Sequence, residues 1–240
     1  MDYRLALMTG IDIPVPSCQI TIHQPSIKEI SMIGEKEFFI GVQCLCIEKS
    51  MYIKDESLLS STSNFQIFMT ILAEKQEKEK KDNTLAVLRL LFPDFKIIFT
   101  PRALLFKQDD LNVMIDENNF EILQEVFQQI FCLSARGQQA FNPGNEAAKA
   151  IADKLMRARQ RVAAQKQAEN GEGSVLAQYV STLAVALHIP LQQLTDLTMF
   201  QLYDLLERYS LWVNWDMDIR SRLAGGKPDS EPDNWMKIIH

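Results

Sequence analysis

Histidine is scarce in this chain. His23, His188 and His240 are all there are, and no two have the short spacing by which a helix or loop offers paired imidazoles to a metal. Cysteine is nearly as sparse, with Cys18, Cys44, Cys46 and Cys132. Cys44-x-Cys46 lacks the second ligand pair a zinc site needs. Each cysteine lies among apolar neighbours, so buried thiols in a reducing cytosol are expected, not disulfide staples. The nine glycines never form GxGxxG or GxxxxGK, so a phosphate-cradling loop is missing. No run of about 18 apolar residues exists, so no membrane-spanning helix is expected. The start, Met1 to Met8, has neither a long apolar core nor a small-residue cleavage site, so no signal peptide is expected.

What is present is ordinary globular chemistry. The 240 residues are 47% hydrophobic and 23% charged, enough for one large domain or two small ones. The net charge of −6 argues against nucleic acid coating the whole surface, though a local basic stripe stays open. Asp109-Asp110 and Asp116-Glu117 pair carboxylates, but in positions where acidic residues start turns and helices. Cys18 with His23 offers a nucleophile and a base in principle, with nothing local to orient them. The expectation is a non-enzymatic protein with no metal and no cofactor.

The periodicity predicts a mainly helical α+β fold. Ile20 to Ile22 has strand character. Ser26 and Glu29 have the spacing of a capping box, opening a short helix that Gly34 can end. Phe38, Val42 and Leu45 mark a helix over 35–47. Residues 48–64 end in a Ser/Thr/Asn loop rich in capping candidates. Phe65, Phe68, Met69 and Leu72 mark the next helix, which runs into the mixed charges 74–81, read as a solvated helix end or loop. Thr84 to Phe92 is a short helix stopped by Pro93. Two apolar runs, 95–99 and 103–106, predict a small β-hairpin, with 112–115 as a third strand. Asp116 or Asn118 opens a helix with its core stripe on Phe120, Leu123, Val126, Phe127, Ile130 and Phe131.

Beyond Gly144 the chain changes character. Asn145 to about Ala168 has no Gly or Pro and reads as one connecting helix of roughly six turns at 3.6 residues each. Lys154, Arg157 and Arg161 share one of its faces by i+3 and i+4 spacing. That stripe suits solvation, an acidic protein partner or phosphate, but no interleaved aromatic is there to stack a base. Residues 169–173 form a linker. Ser174 caps a helix to Leu187, Pro190 starts a short turn to Leu194, and Thr195 or Thr198 opens a helix through Leu206. A separate helix is expected from about Asn214 to Leu223. Three regions follow: a mixed α+β N-terminal domain over 1–144, a basic helix and linker over 145–173, and a C-terminal helical bundle over 174–240. All three tryptophans fall in the last region, at Trp212, Trp215 and Trp235. With Phe200 and Tyr203 they are candidate partner-binding residues, because aromatic side chains dominate protein-binding hot spots.

The strings Leu197 to Tyr209, Asp216 to Gly225 and Trp235-Met236-Lys237 resemble the C-terminal part of small phage proteins known as tail assembly chaperones. Asn64 to Met69 and Ala140-Phe141-Asn142-Pro143 are similar to phage tail-region sequences. The resemblance implies binding of the tape measure protein in the host cytoplasm during tail assembly, with the tail tube protein as a further candidate partner. It implies no catalytic residues. Homo-oligomerisation is open. Two other functions fit the same residues: a structural virion component of the tail or connector, and a nucleic-acid binder using the basic helix.

Overall fold

The computed structural model describes residues 3–133 apart from 54, 101 and 110, residues 173–225 and residues 234–236. The described residues are mainly helical, with two small antiparallel sheets among them. The basic helix expected over 145–168, with Lys154, Arg157 and Arg161, lies outside the described residues.

Helix α1 (Arg4–Thr9) precedes a hairpin of β1 (Ile13–Val15) and β2 (Ile20–Ile22), paired Ile13 to Ile22 and Val15 to Ile20. The four apolar residues of those pairs are buried, because alternate strand residues share a face. The capping box at Ser26 and Glu29 forms as expected and opens α2 (Ile27–Ile33). Gly34 turns directly into α3 (Glu35–Leu45) at φ +104°, a conformation that favours glycine. Helix α4 (Glu56–Ser61) occupies part of the stretch expected as loop. Ser63 caps α5 (Asn64–Ala73).

The charge run then divides. A 3-10 turn at Lys75–Glu77 is followed by α6 (Lys78–Leu91), so the helix expected from Thr84 begins six residues earlier. Helices α3 and α6 pack closely at Gly41. A Cβ there would lie 2.6 Å from the Asn83 carbonyl oxygen and 2.6 Å from Val87 Cγ2, so the missing side chain sets the helix spacing. Strands β3 (Lys96–Phe99), β4 (Leu104–Gln108) and β5 (Leu111–Ile115) form a meander, including the expected third strand. Helix α7 (Phe120–Ile130) buries its whole expected stripe. Its N-cap is Asn119, not Asp116 or Asn118; the Asn119 amide oxygen accepts from the Asp116 N–H at 2.8 Å.

The C-terminal block holds α8 (Val175–Leu187), α9 (Leu191–Thr195) and α10 (Met199–Leu223). Here the expectation of two helices, to Leu206 and from Asn214, is corrected. Helix α10 is continuous over 25 residues. No Gly or Pro interrupts it, and three Asp-to-Arg pairs at i, i+4 brace it: Asp204 with Arg208, Asp216 with Arg220, and Asp218 with Arg222. An acid placed four residues before a base also suits the helix dipole.

This block packs onto the N-terminal elements. Thr198 and Gln201 form a second capping box, and Thr198 pairs with Ser26 in an isolated antiparallel bridge. The Ile27 N–H donates to the Leu197 carbonyl at 2.9 Å. Helices α2 and α10 therefore begin side by side from two joined caps. Glu35, at the start of α3, accepts from the N–H groups of Val175 and Leu176 and from the Ser174 hydroxyl, matching a carboxylate to a helix N-terminus. One hydrophobic cluster runs from Leu7 through Phe127 to Leu202.

Burial pushes the Glu29 carboxyl up, but hydrogen bonds from the Ser26 hydroxyl and N–H, with His23 alongside, outweigh it and hold the group below its ordinary value. A lowered carboxyl adds stability above its unfolded value and loses it as pH falls through the folded one. Ser26→Ala is expected to cost about 1 kcal/mol at neutral pH. Its stability should also fall less on acidification below pH 4.5, the ordinary glutamate value, than that of the unmodified chain. Thermal melts across pH 3 to 7 (roughly the carboxylate range and above) check this, and parallel acid limbs would refute it.

Candidate protein-docking site

The candidate site is built where α8 and α10 meet. Leu176, Val180 and Leu183 of α8 and Met199, Phe200 and Leu202 of α10 are buried. Phe200 is 4% exposed, so it belongs to the core and presents no surface to a partner. Tyr203 is half-buried and packs edge-on against Tyr179, with ring centroids 5.7 Å apart.

One turn further along α10 the helices leave an open groove of about 380 Å³. Ala186, Leu187, Leu205, Arg208, Tyr209 and Trp212 line it. The Tyr209 and Trp212 rings lie 6.1 Å apart at 35°. Trp212 is 43% exposed. Arg208 Nε sits 3.5 Å from the buried Asp204 carboxylate. The groove thus has an aliphatic floor, an aromatic wall and one cation, the composition typical of protein-binding hot spots. It suits an amphipathic helix that inserts apolar side chains.

A larger hollow of about 750 Å³ lies between α8, α2 and α9. Ile27, Ile30, Leu176, Val180 and Leu191 supply its apolar surface, and no aromatic ring lines it. Trp215 is half-buried farther along α10, and Trp235 is half-buried in a short turn.

The groups considered for chemistry are otherwise occupied. His23 Nδ1 lies 2.9 Å from Asp12 and Nε2 lies 3.3 Å from Glu29, so the imidazole faces two carboxylates and not Cys18. No disulfide joins any of the four cysteines. Burial raises Cys18 and Cys44, and pushes Cys46 up to about 12. A raised thiol holds little of the nucleophilic thiolate. Asp116 accepts from the Asn118 N–H, and Glu117 accepts from the Gln66 amide. Among the described residues no group of three His, Cys, Asp or Glu could hold a metal. No described helix is long and apolar enough to cross a membrane.

Residues 165–240 match the YomV second domain. This is a phage-associated domain family. The YomV-like stretch contains α8, α9 and α10, and hence all six residues that line the groove. No curated protein and no solved structure matches the chain.

The groove's position was only partly readable from the chain. Aromatic density near residues 200–215 marked the region. Which aromatics face outward depends on where α8 crosses, and no local signal carries that.

Proposed function

We propose that this chain is a non-enzymatic phage protein that chaperones tail assembly, docking a helical segment of the tape measure protein into the groove between α8 and α10. The observation that carries the reading is Trp212, exposed beside Tyr209 at the edge of an aliphatic groove. The phage association of the YomV second domain supports it, as does the resemblance of Leu197–Tyr209 and Asp216–Gly225 to tail assembly chaperones. A tape measure protein is a long helical chain with apolar faces, and such faces aggregate until covered. A groove that takes one apolar face at a time would keep that chain soluble.

Co-expression with the tape measure protein of the same phage tests the proposal. The two proteins are expected to co-purify, and the soluble fraction of the tape measure protein is expected to rise. No complex and no gain in solubility would overturn it.

A further inference from the structure

We propose that the distal half of α10 pairs antiparallel with the same segment of a second copy of this chain. Among the described residues, none from Ser210 to Leu223 is buried, although the helix continues unbroken. At about 100° per residue, Trp215, Ile219 and Leu223 fall within one narrow arc of the helix, each four residues after the last. Leu223 is 83% exposed, and Trp215 and Ile219 are half-buried.

The charges beside this stripe select the occupant. Asp216 and Arg220 flank one side and are joined at 2.8 Å; Asp218 and Arg222 flank the other and are joined at 3.0 Å. On both sides the acid precedes the base. A second copy running antiparallel, with the two-fold axis near Ile219, meets each flank with the same flank reversed. Each Asp then lies beside the other copy's Arg, and Trp215 lies opposite Leu223. A parallel copy would set Asp216 beside Asp218 and Arg220 beside Arg222, like against like. The segment is therefore self-complementary in one direction alone, the pattern that fixes orientation in paired helices. This pairing does not depend on what the α8/α10 groove binds.

Sedimentation velocity of the full chain over a concentration series is expected to show a monomer passing to a dimer. Arg220→Asp with Arg222→Asp is expected to weaken the dimer at least tenfold, and Asp216→Arg with Asp218→Arg to do the same. An equimolar mixture of the two variants should recover a dimer containing one of each, which also shows that both still fold. For direction, a Trp215→Cys chain mixed with a Leu223→Cys chain should cross-link to each other on oxidation. A monomer at every concentration, charge variants that dimerise as before, or cross-links formed only between identical chains would each overturn the proposal.

Discussion

Phe92→Ala is expected to cost about 3–5 kcal/mol, the range for emptying a buried aromatic site. Phe92 is 1% exposed and stands where three elements converge. It ends α6, and its ring centroid lies 4.7 Å from that of Phe106 on β4 and 6.2 Å from that of Phe127 on α7. The rings meet at steep angles, the edge-to-face geometry that aromatic quadrupoles favour. Removing Phe92 leaves a cavity bounded by a helix, a sheet and another helix, none of which can collapse without moving the others. For a chain of this size the loss corresponds to a melting temperature lower by roughly 6–20 °C. Calorimetry or denaturant unfolding reads it directly. A cost below about 1 kcal/mol, typical of surface positions, would mean that the three elements do not meet on this ring.

A second large effect is expected at a polar residue. Gln124 is buried on α7, 4% exposed. Its amide donates to the carbonyls of Leu45, at 3.1 Å, and Ile47, at 2.7 Å. These carbonyls lie at and just beyond the end of α3, where a helix runs out of its own donors. Its oxygen accepts from the Asn64 amide at 2.8 Å, and Asn64 in turn accepts from the Lys49 N–H. One side chain thus joins α7, the end of α3 and the start of α5. Gln124→Leu fills the space but strands the carbonyls of the buried Leu45 and Ile47 and the amide of the half-buried Asn64, with an expected cost of roughly 2–4 kcal/mol. Gln124→Glu should be worse at neutral pH, because a carboxylate would face two carbonyl oxygens. That variant should regain stability on acidification, since a carboxyl raised in the folded state loses stability as pH climbs. Melting curves of both variants between pH 4 and 8 (a range of about four units spanning the carboxyl titration) check the pair, and a Gln124→Leu variant as stable as the parent would refute the clamp.

These two residues mark the limits of what a sequence shows. Phe92 was visible as an apolar helix end before Pro93, and the neighbouring strands were visible from their β-branched and aromatic runs. Capping chemistry was equally visible, because Ser26 with Glu29 and Ser174 before Val175 act over three residues. Gln124 left no local trace, because its partners lie 60 to 79 residues away. The β1–β2 hairpin was half seen: strand character stood out at Ile20 to Ile22, while Pro14 and Pro16 obscured β1. The break expected between Leu206 and Asn214 is absent from α10. No Gly or Pro falls between Leu206 and Asn214 to end the helix, and Asp-to-Arg pairs at i, i+4 brace it on either side of that stretch. At the candidate site, Trp212 and Tyr209 were legible as aromatic density, whereas the burial of Phe200 follows from tertiary packing alone.

The groove between α8 and α10 is proposed to take a helical partner. The most direct measurement is a calorimetric titration of the full chain with purified tape measure protein segments, set beside the same titration of Trp212→Ala. Trp212 is exposed enough that its removal should leave the fold intact, which circular dichroism can verify. Saturable binding by the parent chain is expected, with a loss of about 30-fold or more in the variant, the scale of a hot-spot residue worth at least about 2 kcal/mol. Equal affinity in the two proteins, or no binding by the parent, would contradict it.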